Sequence, residues 1–249
     1  MGRRSLTLST LVLAFIGACA LPASTAFGRI AMNGGGTNDW MRVDTPPPAN
    51  LIASVRPGSV VELRGRPFGR VLERLGSTTP FGSPRALGIV TTRRGRWLAV
   101  TDPTLGNGRL GWIDARAGGV HYSRTRLELE VDLSSRTLVV RRDGTTVRRF
   151  SVGVGRPGSP TPTGRFAVTD KLDGPAYSAY YGCCILALSA TQPNLPAGWT
   201  GGNRIAIHGT LSPGDFGRAV SAGCVHAPDA ELRYLMRTVP LGTPVLIRA

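Results

Sequence analysis

The chain has 249 residues and a formal net charge of +15, from 30 Lys and Arg side chains against 15 Asp and Glu. Lys171 is the only lysine, and the arginines are scattered without interleaved aromatic residues, which argues against a nucleic-acid-binding protein. With 33 Gly and 19 Pro residues, the composition favours short strands joined by turns over long helices. The length allows one large domain or two small ones.

The first segment has the features of an export signal. Arg3 and Arg4 precede residues 6–18, an uncharged run that is too short to span a bilayer as a helix. The run ends in "FIGAC", which resembles a bacterial lipobox in which Cys19 would be lipidated; the alternative is ordinary cleavage within residues 1–26. Either reading predicts an extracytoplasmic protein, secreted or lipid-anchored to the outer face of the cytoplasmic membrane, where disulfides are permitted.

Residues 27–50 are predicted to be a linker. They contain "MNGGGTND", which is flexible, and "TPPPAN", which is stiff and extended, and neither can pack a core. We therefore expect a tether between the signal segment and the folded part of the chain.

Residues 51–119 show the rhythm of a small β-barrel, with short apolar runs separated by turns. The stretch "RWLAV…GNGRLGWI" resembles the SH3-like modules that accompany bacterial wall enzymes. The alternative is a β-rich spacer of no defined function. The predicted strands are Ser59–Leu63, Leu87–Val90, Arg96–Val100 and Leu110–Asp114.

The pattern is sharper in residues 124–249. Apolar and acidic residues alternate from Leu127 to Leu133, which predicts a strand with one buried face. Two β-branched runs then flank Asp143-Gly144, a favoured two-residue hairpin turn. "RIAIHG" and the closing "PVLIRA" read as further strands, and "HAPDAELRYLMRTV" predicts one helix with Pro228 at its first position.

Rare residues cluster ahead of that helix. The chain has three His and four Cys, yet His208, Cys224 and His226 fall within one Gly- and Ser-rich window. Cys224 can serve as a nucleophile with His208 as its base, and the nearby helix N-terminus is expected to favour the thiolate. The ring of His208 needs an acceptor that fixes its tautomer, which Asp215 or the carbonyl of Gly209 could supply.

The turn "SAGC" supplies the remaining parts of a nucleophilic site. The N–H groups of Gly223 and Cys224 are the candidate donors to an oxyanion. An alternative use of the same window is a zinc site made by His208, Cys224 and His226.

Other cysteines and aromatic residues leave more than one interpretation open. Cys183 and Cys184 are adjacent in the sequence. They could be small residues of a buried strand, or they could form a vicinal disulfide. The tyrosines that precede them line a substrate groove or enter the core; they are Tyr177, Tyr180 and Tyr181.

The order of these motifs resembles the L,D-transpeptidase catalytic domain (YkuD-like) family. "HGT", a loop and "SAGCV" are similar to its His and Cys signature, and "SPTPTG" and "VPLGTPVLI" are similar to its turn and closing strand. The resemblance covers about Arg126 to Ile247. It implies a mainly β fold, a β-sandwich with one short helix after the catalytic Cys, preceded here by the SH3-like barrel.

The resemblance also implies a reaction. Cys224 would attack a peptidoglycan stem tetrapeptide, release D-alanine and pass the acyl group to a neighbouring stem as a 3→3 cross-link. His208 would be the proton donor and acceptor, and the carbonyl of Gly209 would orient it. Ser221 and Thr210 would bind substrate.

Two positions depart from the family. Ala222 replaces a second His that many members carry, and His226 stands where Arg or Asn often holds the substrate carboxylate.

We expect a monomer that needs no metal or cofactor and acts on peptidoglycan stem peptides at the cell wall or membrane surface. Hydrolysis of the same acyl-enzyme, which would make an L,D-carboxypeptidase, and a non-catalytic wall-binding protein are the alternatives. Sortase-like transpeptidases also combine His and Cys, but their His usually lies much farther upstream.

Overall fold

The computed structural model describes residues 50–249, which are almost entirely β. The signal segment predicted at 1–26, its lipidation site Cys19 and the linker up to residue 49 lie outside the described residues. The described strands form two large sheets and one two-stranded sheet. Short 3₁₀ turns connect some of them; these are Pro103–Leu105, Ala115–Ala117, Ala179–Tyr181 and Pro213–Asp215.

The first sheet contains seven strands. The four predicted strands overlap β2, β4, β5 and β6, whereas β1, β3 and β7 were not predicted. The spatial order is β3-β2-β6-β5-β4-β1-β7, and because β7 pairs with β1 the sheet reaches Arg124, beyond the predicted boundary at 119. The strands are β1 (Leu51–Val55), β2 (Val61–Arg64), β3 (Val71–Leu75), β4 (Ala86–Arg93), β5 (Trp97–Val100), β6 (Gly111–Asp114) and β7 (Val120–Arg124).

The second sheet is mixed and contains eight strands in the order β10-β9-β8-β17-β12-β13-β14-β16. Two of its pairs are parallel, β8 with β17 and β14 with β16, and β11 pairs with β15 in a separate small sheet. The strands are β8 (Leu127–Asp132), β9 (Thr137–Arg142), β10 (Thr145–Ser151), β11 (Val154–Gly155), β12 (Gly164–Asp173), β13 (Cys184–Thr191), β14 (Arg204–His208), β15 (Ala219–Ser221), β16 (Val225–His226) and β17 (Pro244–Arg248).

The alternation in β8 works as the sequence predicts. Leu127, Leu129 and Val131 are at most 5% exposed, and each contributes about 1.5–3 kcal/mol by burial. The hairpin that follows turns at Asp143-Gly144, where φ values of 51° and 79° suit a type I′ turn that matches the strand twist. These contacts fix the edge of the sheet that lies farthest from the His and Cys window.

One α-helix, α1 (Asp229–Thr238), follows the window. Its buried side includes Leu232 and Leu235, which are fully buried, and Pro228 lies immediately before its first residue. The prediction of a mainly β chain with one short helix after Cys224 is confirmed for residues 50–249. No helix in this range combines the length and apolar character needed to cross a membrane.

Buried polar contacts join the two large sheets near the start of β14. Asp170 on β12 is fully buried and accepts a hydrogen bond from the hydroxyl of Thr79, in the β3–β4 loop of the first sheet. The Arg204 guanidinium lies 3.7 Å from the same carboxylate. Because a buried carboxylate needs such partners, these contacts fix the end of β14 opposite His208.

Candidate active site

Two histidines meet at the carboxyl ends of β14 and β16. The parallel register pairs His208 directly with His226, so both side chains project from the same face and their ring centroids are 4.9 Å apart. They are 1% and 2% exposed, respectively. Cys224 immediately precedes β16, so this pairing brings together the three rare residues of the window.

The ring of His208 is oriented by its neighbour. Its Nδ1 lies 2.6 Å from the carbonyl oxygen of Gly209, which can only accept, so Nδ1 carries the hydrogen and Nε2 is left as the base. Burial, and next the charge of His226, lower the pKa of His208 to about 4. The imidazole is therefore neutral at pH 7, the state that a general base requires.

A network of small contacts shapes the turn before Cys224. The Ser221 hydroxyl donates to the Cys224 carbonyl at 2.5 Å and accepts from the Gly223 N–H at 3.0 Å. The Thr161 hydroxyl donates to the Gly223 carbonyl at 2.8 Å, and the Gln192 amide donates to the Ala222 carbonyl at 2.9 Å. Gln192 was missed by the sequence reasoning because a polar residue after a buried strand gives no signal of this role.

Gly223 is required at this turn. Its φ is +122°, and a Cβ there would lie 2.1 Å from Nε2 of Gln192. We expect Gly223→Ala to lower the free energy of unfolding by about 2–4 kcal/mol through strain and lost hydrogen bonds. Denaturant unfolding measures this effect. Gly76→Ala is the matched control because a Cβ there meets open space, and equal losses in both variants would contradict the argument.

The same network bears on the predicted oxyanion donors and substrate contacts. The Gly223 N–H already donates to Ser221, so it can stabilise an oxyanion only if that bond breaks, whereas Cys224 keeps its N–H as the remaining candidate. Ser221 is buried and holds the turn from inside. Its hydroxyl therefore supports the position of Cys224. A direct contact with substrate would require the hydroxyl to break its hydrogen bonds to the turn.

The Cys224 thiol faces the backbone of β14. Its Sγ lies 3.9 Å from the carbonyl oxygen of Arg204 and also receives the Ala206 N–H, and no hydrogen bond joins it to His208 among the described residues. Although the residue is partly exposed, desolvation raises the pKa of the thiol to about 11. The expected thiolate is therefore absent in this state, because β16 separates Cys224 from the start of α1 and desolvation outweighs the helix dipole.

His226 pairs with an acid that sequence reasoning considered only for His208. Its Nδ1 lies 2.8 Å from Oδ2 of Asp215, and the Thr210 hydroxyl donates to the same oxygen at 2.8 Å. The Thr210 hydroxyl is thus engaged in a hydrogen bond within the β14–β15 loop, and His226 is buried against Asp215. His226 is therefore closed to a substrate in this state, whereas Thr210 is half-buried with its hydroxyl already bonded to Asp215.

The loop between β12 and β13 covers the two histidines. The Tyr180 ring lies 5.9 Å from the His208 ring and 6.0 Å from the His226 ring, and the Tyr181 ring lies 4.9 Å from His208, centroid to centroid. The Tyr181 carbonyl also accepts from the Gly209 N–H at 2.8 Å. Tyr177 instead packs against Phe81 in the β3–β4 loop. None of the three tyrosines is buried in the core, because Tyr177 and Tyr180 are exposed and Tyr181 is half-buried.

A disulfide between adjacent residues lies where this loop meets β13. Cys183 and Cys184 are bonded to each other at the start of β13, and the Cys183 N–H donates to the Asp229 carboxylate of α1 at 3.2 Å. The bond removes both residues from thiol chemistry and leaves Cys224 as the free cysteine of the described chain. Within residues 50–249, no group of three or more His, Cys, Asp or Glu side chains has the arrangement of a metal site.

Comparison with known proteins gives a consistent family. Residues 126–247 match the YkuD model, described as the L,D-transpeptidase catalytic domain. The Bacillus subtilis protein named L,D-transpeptidase YqjB is 36% identical over 101 residues, covering 39% of this chain and 57% of that protein. The Bacillus licheniformis protein named L,D-transpeptidase YkuD is 30% identical over 121 residues, covering 48% of this chain and 64% of that protein.

Among solved structures, the L,D-transpeptidase from Xylanimonas cellulosilytica is 27% identical, with a TM-score of 0.37, covering 51% of this chain and 62% of that chain. This chain spans about three-fifths of the length of the two Bacillus relatives. By the family model and these sequence relatives, residues 126–247 are similar to the L,D-transpeptidase catalytic domains of the YkuD family.

Proposed function

We propose that this chain is a peptidoglycan L,D-transpeptidase that forms 3→3 cross-links through a Cys224 acyl-enzyme. The donor is a stem tetrapeptide, cleaved between its third residue and the terminal D-alanine. The observation that carries the proposal is the pairing of β14 with β16 inside the family segment, since it sets His208 beside the strand that follows Cys224. The neutral His208 with Nε2 free is suited to take the thiol proton.

The reaction proceeds in two halves. Sγ of Cys224 turns away from the β14 backbone, gives its proton to Nε2 of His208 and bonds to the carbonyl carbon of the third stem residue. The C–N bond breaks, and His208 passes the proton to the departing amine of D-alanine. In the second half an amine of a neighbouring stem attacks the thioester, the C–S bond breaks, and the amine proton returns through His208 to sulfur.

The rest of the chain fits an enzyme that works at the wall. The first sheet is proposed to be an SH3-like module, and the N-terminal segment is proposed to export the protein and anchor or release it outside the cytoplasm. The net charge of +15 suits an anionic wall or membrane surface. We propose a monomer that requires no metal or cofactor and does not bind nucleic acid.

The test is incubation of the full chain with disaccharide-tetrapeptide, followed by liquid chromatography and mass spectrometry. A transpeptidase yields a cross-linked dimer that has lost one D-alanine, whereas an L,D-carboxypeptidase yields disaccharide-tripeptide with one oxygen from solvent. The absence of both products, together with co-sedimentation of the protein with purified sacculi, would replace the enzyme by a wall-binding protein.

A further inference from the structure

We propose that Asp215 is a positioning residue of this site: through His226 it fixes the imidazole that packs against His208. The inference rests on the proposed cysteine acyl transfer, and it concerns a residue that this mechanism does not use and that the sequence suggested only as a partner of His208. It assigns the buried pair of Asp215 and His226 to the control of the base, in place of the substrate contact that the sequence predicts for His226.

The first step is the geometry of the pair. Nδ1 of His226 lies 2.8 Å from Oδ2 of Asp215, and an ionised carboxylate can only accept, so Nδ1 carries the hydrogen. Nδ1 of His208 is fixed in the same way by the carbonyl of Gly209. Two neighbouring imidazoles, 4.9 Å apart between centroids, are therefore both held as Nδ1–H forms with their Nε2 atoms free.

The second step is that the pair is held on several sides. The Thr210 hydroxyl donates to Oδ2 of Asp215 at 2.8 Å, which ties the acid to the chain two residues beyond His208. The backbone of His226 exchanges two hydrogen bonds with Gly153, at 2.8 and 2.9 Å. A Cβ on Gly153 would lie 2.9 Å from the Asp215 carbonyl oxygen and 3.1 Å from Cβ of His226, so the backbones meet as closely as glycine allows.

The third step is burial. His226 is 2% exposed, which removes it from direct contact with a substrate carboxylate in this state and leaves His208 as the neighbour on which it acts. Because both rings are buried, a proton on one strongly disfavours a proton on the other. After burial itself, repulsion from a protonated His226 is the next cause of the low pKa of His208.

Other titratable groups face the two rings and must be counted in any pH dependence. Tyr180 and Tyr181 pack on them from the β12–β13 loop, Cys224 acts on both tyrosines, and Arg156 acts on Tyr180 from the segment after β11. The pKa values of both tyrosines are raised, chiefly by burial, so they remain neutral at pH 7. Asp215 is thus the acid that forms a hydrogen bond to these two rings, through Nδ1 of His226, and it keeps a hydrogen on that nitrogen.

The test uses NMR because the chain has three histidines, and the third, His121, is exposed on β7 of the first sheet. In the full-length protein, ¹⁵N shifts report which ring nitrogen of His226 carries the hydrogen, and a pH titration reports the midpoint of His208. We expect the Nδ1–H form in the wild type and in Asp215→Asn, whose amide oxygen still accepts. In Asp215→Ala we expect the Nε2–H form and a rise in the His208 midpoint of at least about half a pH unit, with His121 unchanged.

Kinetics on disaccharide-tetrapeptide provides the second readout. We expect kcat to fall about 10- to 100-fold in Asp215→Ala and less in Asp215→Asn, with KM within about twofold of wild type and a shifted acid limb of the pH profile. Glu73→Gln is the charge-matched control, since Glu73 is exposed on the first sheet. If Asp215→Ala does not fold, Asp215→Asn still tests whether the charge sets the His208 midpoint.

The outcomes separate this inference from the proposed function. An unchanged His226 tautomer and His208 midpoint in Asp215→Ala would overturn it whatever the activity. A rise in KM alone, with both NMR readouts unchanged, would also overturn it and return His226 to substrate binding. If wild type gives the expected NMR behaviour but no product, the acyl-transfer function fails while the positioning of His208 by the pair is supported.

Discussion

Cys224→Ala is expected to abolish formation of both the cross-linked dimer and the tripeptide, lowering the initial rate by at least about 10³-fold. The thiol is the nucleophile of the proposed mechanism, and no other free cysteine is present in residues 50–249 to replace it. The measurement is the initial rate of product formation from disaccharide-tetrapeptide. Intact-protein mass spectrometry with a carbapenem, whose strained lactam acylates nucleophiles, should show one adduct on the wild type and none on the variant.

The control for this prediction is the fold. Ser221, Thr161 and Gln192 hold the turn through backbone groups and not through the thiol, so the variant should unfold within about 1 kcal/mol of wild type. The adduct should map to the peptide that contains Cys224. Retention of more than a few per cent of the rate in a folded variant would show that the chemistry lies elsewhere.

Much of the fold could be predicted because its signals are local. The alternation in β8, the Asp143-Gly144 turn and the acidic start of α1 each depend on residues within one element. The strand β3 was missed because it exposes Glu73 and Arg74, so that no apolar pattern distinguishes it from a loop.

The site was predictable only in its residue types. His208, Cys224 and His226 were recognised as unusual, but their arrangement depends on a two-residue strand, β16, that runs parallel to β14. A strand of two residues is too short to show an alternation of apolar and polar residues. Its register with β14 nevertheless determines that His208 faces His226. Two loops carry the residues that contact these histidines, Asp215, Tyr180 and Tyr181. The length of a loop does not predict which of its side chains will pack against the sheet.

The state of the thiol shows where local reasoning about charge fails. Cys224 precedes a helix in sequence, which favours the thiolate, but two strand residues and the turn at Pro228 separate it from α1. Desolvation depends on how many atoms of the fold surround the sulfur, which the sequence does not display. The Cys224 thiol and the His208 imidazole are therefore both neutral at pH 7, and the proposed acyl transfer requires a proton to move from one to the other.

His208→Gln is expected to lower the rate of product formation by about 10²- to 10⁴-fold, because it removes the group that accepts and returns the thiol proton. It should also change how stability depends on pH. The pKa of His208 is lowered in the folded protein from 6.5 to about 4, so between these values the unfolded chain binds a proton that the folded chain does not. Stability is then lost as pH falls, and the gap corresponds to about 3 kcal/mol for this residue.

Denaturant unfolding at several pH values between 7 and 4 measures this effect. The variant lacks the buried imidazole and should be less stable than wild type at pH 7, and the difference should shrink by up to about 3 kcal/mol as pH approaches 4. His121→Gln is the matched control, since His121 is exposed and its replacement should leave both the rate and the pH dependence unchanged. Parallel stability curves for wild type and His208→Gln would mean that His208 titrates normally in the fold. The base would then be mostly unprotonated at pH 7 because of its ordinary pKa, and burial would have no part in preparing it for proton transfer.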